Sequence, residues 1–241
     1  GKSSFAWQIA RNVAASGRKV DYFSLEMSVS SLWARAACGA LGIRWRDVRS
    51  GQVSQEKIDL IINETLNFME LFKDKLYLDD HVWSAKTIWQ AVEESKPDLF
   101  VVDHLRLIKG GTTESEVKRL GEVSQVCKDV AKEFNCVSLL LAQLNRGVEQ
   151  QDDKRPQLAD LRGSGEIEEN GDTILMMYRD EYYNPPPEGM QPTGLTDLYI
   201  RKFRDDVKDG IIHLSFDAPH QWFYETKNIT ELSTERINGL V

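Results

Sequence analysis

Gly1-Lys2-Ser3-Ser4, running straight into Phe5-Ala6-Trp7-Gln8-Ile9-Ala10, is the stretch on which the fold turns. Gly-Lys-Ser followed at once by an apolar helical pattern is the tail of the phosphate-binding loop G-x-x-x-x-G-K-[ST]. In that loop, backbone N–H groups and a helix N-terminus cradle phosphates. The lysine reaches the β- and γ-phosphates, and the hydroxyl ligates Mg²⁺. Gly1, Lys2, Ser3 and Ser4 are therefore the candidate ATP-binding residues. The Gly-rich half of the motif is not in the sequence, and the tripeptide alone is common, so the rest of the chain has to carry the reading.

Outward from that start, helices and apolar strands alternate. Phe5, Ile9 and Val13 recur at helical spacing until Ser16-Gly17. Lys19 to Leu25 reads as a strand ending at Glu26. Ser28 is a natural N-cap for a helix to Leu41. A short helix or loop spans Ile43 to Gln52, and a long amphipathic helix runs from Ser54 to Phe72. Leu76 to Leu78 is a short strand, and Ser84 to Ser95 a helix stopped by Pro97. Leu99-Phe100-Val101-Val102 is an apolar strand with Asp103 at its end. Gly110 to Thr113 is a loop, Glu116 to Phe134 a helix, and Val137 to Ala142 a strand ending at Gln143. Asn145 to Gly171 is polar, with few strand signals. Asp172 to Tyr178 is a strand, and three more at Thr196–Phe203, Gly210–Phe216 and Gln221–Tyr224 form a meander, with a tight turn at Asp209-Gly210. Helices alternating with strands, then a meander, predict an α/β fold: a mostly parallel central sheet flanked by helices, with an antiparallel extension toward the C-terminus. One domain is expected over residues 1–228, with a tail from 229 to 241 that carries no strong signal.

Composition narrows the function. The chain has 241 residues, of which 41% are hydrophobic, enough for a sizeable core. With 30 basic and 38 acidic residues it carries a net charge of -8. That excludes indiscriminate coating of nucleic acid but leaves room for a local basic groove. No apolar run approaches the roughly 20 residues of a membrane helix, and no secretory signal opens the sequence. Cys38, Cys127 and Cys136 form neither a disulfide framework nor a C-x-x-C pair. Buried thiols in a reducing compartment are expected.

Ligands in open parallel sheets sit at the C-terminal ends of the strands. Glu26, Asp103 and Gln143 each end a strand there, beside Lys2 and Ser3. Four apolar residues before Asp103 make a Walker-B-like strand whose carboxylate would hold Mg²⁺ together with Ser3. Glu26 would polarise the attacking water, and Gln143 would sense the γ-phosphate. Taken singly, each has a plain alternative: a solvated acid, a carboxylate near a helix start, a loop amide. Together they form a nucleotide-hydrolysis set.

Longer strings make the chain familiar. Phe23-Ser24-Leu25-Glu26-Met27-Ser28, Gln143-Leu144-Asn145-Arg146, Asp153-Lys154-Arg155-Pro156, Asp160 through Glu168, and Tyr178-Arg179-Asp180-Glu181-Tyr182-Tyr183-Asn184-Pro185 occur in the order found in the C-terminal motor domain of DnaB-type replicative helicases. The sequence resembles that family from Gly1 to about Tyr224. The resemblance implies a RecA-like fold, a ring-shaped homo-hexamer, ATP and Mg²⁺ as cofactors, single-stranded DNA as the track, and a cytoplasmic setting in a bacterial cell or, if phage-encoded, its host. It also implies primase and a helicase loader as partners, through regions outside this sequence.

Residue by residue, the resemblance matches Lys2 and Ser3 to the P-loop, Glu26 to the catalytic base, Asp103 to the Walker-B acid and Gln143 to the sensor. Lys202 and Arg204 match a Lys-x-Arg pair inserted into the neighbouring subunit's site. Arg162, Gly163 and Gly165 fall in the DNA-contacting loop, where phosphate contacts hold the strand without reading bases. Lys154 and Arg155 are expected to pair with Asp152 and Asp153. The sequence departs from the family at Gly163, usually Glu; at His104-Leu105-Arg106, usually Tyr-Leu-Gln; and at Asp205-Asp206, which set acids beside Arg204. A strand-exchange recombinase of the same fold and a non-unwinding nucleotide-binding scaffold are the rival readings.

Overall fold

The computed structural model describes residues 1–81, 84–109, 115–161, 164–204 and 210–226, without the side chains of Arg146 and Ser164. The predicted Gly110–Thr113 loop, the Asp209-Gly210 turn, Asp205-Asp206 and the tail after 226 lie largely or wholly outside those residues.

Helix α1 (Lys2–Ala15) is followed by strand β1 (Val20–Ser24), and Gly17 between them takes φ 90°, a value that suits glycine. Then come α2 (Val29–Ala40), α3 (Trp45–Arg49), α4 (Gln55–Phe72) and β2 (Leu76–Asp79). Ser28 accepts a hydrogen bond from the Ser31 N–H and caps α2 as its sequence predicts. Helix α5 (Ala85–Ser95) starts with a capping box between Ser84 and Thr87. It stops at Lys96, which turns left-handed (φ 49°) just before Pro97. Strand β3 (Leu99–Asp103), α6 (Glu116–Glu133) and β4 (Val137–Leu140) complete the first half. The second half holds α7 (Ser164–Asn170), β5 (Thr173–Tyr178), α8 (Asp180–Tyr183), β6 (Leu195–Phe203), β7 (Gly210–Asp217) and β8 (Trp222–Glu225).

The first four strands form a parallel sheet in the order β2-β1-β3-β4. Strand alternation splits its side chains between two faces. Val20, Tyr22, Leu99 and Val101 pack with Trp7, Ala10 and Ala14 of α1 and Leu32 and Trp33 of α2. Trp7 meets the edges of Tyr22 and Trp33 at 5.5 and 5.3 Å between ring centroids. Phe23, Phe100 and Val102 point the other way, into Ile88 and Val92 of α5 and Leu120, Val123, Cys127 and Val130 of α6. Cys38 and Cys127 are buried thiols as expected, while Cys136 is half-buried.

The last four strands do not simply extend this ladder. They pair antiparallel among themselves in the order β5-β6-β7-β8, as a second sheet. Side chains make the junction: Ala142 and Leu144, just past β4, pack on Leu161, Ile174 and Met176. Strand β8 is tied back to α1 by a reciprocal pair, Gln8 Nε2 to the Phe223 carbonyl at 2.7 Å and the Phe223 N–H to Gln8 Oε1 at 2.8 Å. That tie sets the β7–β8 turn beside the start of α1.

One buried charge is out of place in this core. Asp21 is fully buried on β1, takes a hydrogen bond from Ser95 Oγ, and leaves Oδ1 without a partner among the described residues. Burial pushes its carboxyl up to about 6. The folded state therefore binds a proton that the unfolded state has lost between about pH 4 and pH 6, and stability falls as pH rises through that window. Asp21→Asn keeps an acceptor for Ser95 and removes the charge. It is expected to stabilise the fold at pH 7 by about 1–3 kcal/mol and to flatten stability between pH 4 and 6, as read by denaturant unfolding at several pH values.

Candidate functional site

The parallel sheet delivers Glu26 and Asp103 to one edge, where α1 also begins. Ser3 Oγ donates to Asp103 Oδ1 at 3.1 Å, and Tyr22 Oη donates to Asp103 Oδ2 at 2.8 Å. Asp103 is only 1% exposed. Burial raises its carboxyl above the usual range; the Tyr22 and Ser3 hydrogen bonds work against that rise, and the charge of Glu26 adds to it. A buried carboxylate with the Ser3 hydroxyl on one oxygen and the Tyr22 hydroxyl on the other is a natural seat for a hard divalent cation with oxygen ligands.

Glu26 stands two residues past β1 with its side chain 55% exposed. Its Oε2 lies 3.7 Å from Nε2 of His104. His104 follows Asp103 through a cis peptide bond and is itself buried. Lys2 is exposed in the first turn of α1, and Ser4 Oγ donates to Gln221 Oε1 at 3.5 Å. Gly1 caps α1, and a Cβ there would meet Met177 and Phe223 at 3.3 Å. Gln143 is exposed and lines a cleft of about 260 Å³ with Leu105, Arg106 and Ile167.

A second cleft opens directly beside Ser3 and Ser4. Arg11 and Arg35 line it together with Trp7, Gln221 and Trp222, and no carboxylate among the described residues does. The Arg11 guanidinium lies between the Trp7 and Trp222 rings, 5.5 and 4.6 Å from their centroids, and burial lowers its basicity to about 10. Arg35 Nη1 donates to Gln221 Oε1 at 3.0 Å. Gln221 holds a left-handed φ of 57°, costly for a residue with a Cβ. The one visible signal was Arg11, a charge on the otherwise apolar Ala6-Trp7-Ala10-Ala14 face of α1.

Lys202 and Arg204 sit elsewhere, at the end of β6 against α7. Lys202 Nζ donates to the Glu168 carbonyl at 2.5 Å, and Arg204 Nη1 lies 2.5 Å from Asp172 Oδ1. Arg204 remains half exposed. Arg162 and Gly163 lie outside the described residues. Gly165 is exposed, but in the first turn of α7 rather than in a loop. Ile167 packs on the core between the parallel sheet and α5 and α6, and that burial gives Glu166-Ile167-Glu168-Glu169 a reason to be helical. Upstream, buried Asp160 accepts hydrogen bonds from Gln151 Nε2 at 2.8 Å and the Gln157 N–H at 2.7 Å, fixing the approach to residue 162. Arg155 reaches Asp153 at 4.0 Å as expected. Lys154 does not pair with an acid there; its ammonium donates to the Glu149 and Gln151 carbonyls, which lie nearer along the turn.

A family model described as the DnaB-like helicase C terminal domain matches residues 1–225. A probable replicative DNA helicase of Trieres chinensis is 33% identical over 231 residues, 93% of this chain and 50% of that protein. The replicative DNA helicase DnaB of Geobacillus stearothermophilus is also 33% identical, over 92% of this chain and 49% of its own length. The chain thus spans about half the length of the curated relatives it matches. Among solved structures, a DnaB-like replicative helicase, solved in a study of its interactions with primase, superposes with a TM-score of 0.81 at 27% identity over 94% of this chain and 55% of its own. A second solved structure, an isolated ATPase domain, gives a TM-score of 0.80 at 27% identity, covering 94% of this chain and 81% of that one.

Proposed function

The chain belongs to the DnaB-like helicase C-terminal domain family, with that family's RecA-like ATPase fold, and from this premise we propose that it is the motor of a ring-shaped replicative DNA helicase. The observation that carries the reading is the Ser3–Asp103 hydrogen bond, which joins the first turn of α1 to the buried end of β3, with an exposed Glu26 beside it.

ATP would lie over the start of α1, with Lys2 on its β- and γ-phosphates and its nucleoside end toward the cavity of Arg35 and Gln221. Ser3 and Asp103 would hold Mg²⁺, which neutralises charge gathering on the phosphates. Glu26 takes a proton from the attacking water, and Gln143 reports the state of the γ-phosphate to the cleft it shares with Ile167. Lys202 and Arg204 act in trans, on nucleotide held by the next copy in a homo-hexamer. Arg162, Gly163 and Gly165 contact the phosphates of single-stranded DNA, so that the strand is gripped without sequence preference. Residues 1–228 form this motor unit, with 229–241 as a tail. Primase and a loader engage other parts of the protein, and the work is done on DNA in the cytoplasm.

Strand displacement on a forked DNA substrate tests the reading, with Lys2→Ala as the control. Unwinding that depends on ATP and disappears in Lys2→Ala is expected; equal unwinding by both proteins would overturn it.

A further inference from the structure

Asp172 lies one residue before β5 and occupies the centre of an ion cluster at the far end of β6. Its carbonyl accepts the Arg204 N–H at 3.0 Å, which continues the ladder one step past the Thr173–Phe203 pair. Its carboxylate Oδ1 lies 2.5 Å from Arg204 Nη1 and 3.1 Å from Lys128 Nζ. Lys128, on α6, is only 12% exposed and also donates to the Asn170 carbonyl at 2.7 Å. Asn170 in turn donates from its amide to Ser124 Oγ at 2.9 Å and the Gly121 carbonyl at 3.3 Å, both on α6. The carboxylate is thus anchored from behind by a buried lysine and a packed helix pair. Burial works against its charge, yet Lys128 and Arg204 prevail and hold the carboxyl below the usual range.

Arg204 meets this anchor with one edge. A guanidinium carries five N–H donors in a planar fork. Nη1 is ion-paired with Asp172, and the half-exposed side chain keeps N–H donors for a ligand on another molecule. A long, flexible side chain offered across an interface acts only if its geometry is fixed beforehand, because small misplacement of a charge-stabilising group is costly to rate.

We propose that Asp172 is the positioning residue for Arg204, holding one face of the guanidinium in cis so that the other can meet the phosphates of the neighbouring subunit's nucleotide. This rests on the trans role of Arg204 proposed above. Asp172 does not touch nucleotide, so its loss should lower turnover and leave nucleotide affinity alone.

The test is steady-state ATP hydrolysis by the assembled, DNA-stimulated oligomer, with Asp172→Asn, Asp172→Glu, Arg204→Ala and the Asp172→Asn/Arg204→Ala pair, each checked for assembly and thermal unfolding. Asp172→Asn keeps an acceptor for Lys128 but loses the charge that orients Arg204. It is expected to lower kcat by about 10- to 100-fold, with KM for ATP changed less than about twofold. Asp172→Glu should restore most of the rate. The double variant should be no slower than Arg204→Ala alone, since the two residues act as one unit. Wild-type kcat in a folded Asp172→Asn oligomer would overturn the proposal, as would a raised kcat, which would make Asp172 a restraint on Arg204. Additive losses in the double variant would overturn it too, because they would mean that Asp172 acts through something else. If Arg204→Ala itself turns over normally, the trans reading of Arg204 fails first, and this proposal falls with it by a separate measurement.

Discussion

Arg204→Ala is expected to leave a folded oligomer that binds ATP and single-stranded DNA but hydrolyses ATP roughly 10³–10⁵ times more slowly, the range lost when an arginine offered in trans is removed. The contacts that Arg204 makes in its own chain fit the proposed trans role. Within one chain, Arg204 is held by Asp172, while Ser3, Asp103 and Glu26 gather at the ends of β1 and β3. A half-exposed guanidinium with a local carboxylate partner is free to reach a ligand on another molecule, as the proposed trans role requires. The decisive measurement mixes two dead proteins. Lys2→Ala subunits keep a good arginine, and Arg204→Ala subunits keep a good phosphate site. Where the two sit side by side in one ring, a complete site forms at their seam, so mixing should restore hydrolysis that neither shows alone. If Arg204→Ala loses activity and mixing restores none, Arg204 serves its own chain's site. If Arg204→Ala is as fast as the parent, it serves no site.

The strand ends were legible because their chemistry is local. Leu99-Phe100-Val101-Val102 could only be a buried strand, and Asp103 after it could only be at the strand's end; the structure buries all five. The same holds for Tyr22 and Phe23, whose alternation sends one side chain to α1 and the next to α5 and α6. What could not be read is what distant segments assemble. The cavity beside Ser3 and Ser4 draws Arg11 from α1, Arg35 from α2 and Gln221 from the β7–β8 turn, and no spacing links those three. Helix α7 lies inside the polar stretch from Asn145 to Gly171, where periodicity is weak; Ile167 packing on the core and the contact with α6 hold it. The second sheet was read as an extension because its strands were clear while their partners were not. Pairing on the far side of β5 depends on where the chain between residues 141 and 172 runs. Lys202 and Arg204 rest on the family resemblance alone, since no spacing in the sequence sets them apart from other surface cations.

Glu26→Gln is expected to lower hydrolysis by roughly 10²–10⁴-fold, the contribution typical of a positioned general base, and to do so without weakening ATP binding. The two halves of that expectation come from different neighbours. Glu26 is exposed toward the site and, among the described residues, meets His104 at 3.7 Å, so the amide fits the same space and the fold is not at risk. Its charge, however, acts on Asp103, where it adds to the rise that burial imposes. Neutralising Glu26 removes one of those two influences, so Asp103 ionises more readily and the seat it makes with Ser3 for a divalent cation is kept or strengthened. A phosphate ligand that carries its cation should therefore bind at least as tightly, while the proton of the attacking water loses its acceptor. The expected signature is a large fall in kcat with KM unchanged or lower, the pattern of a group that works only in the transition state. Loss of nucleotide binding in a folded Glu26→Gln oligomer would instead make Glu26 part of the cation seat. Normal turnover would leave the base to be found elsewhere, with His104, buried beside it and next in the chain to Asp103, as the next group to change.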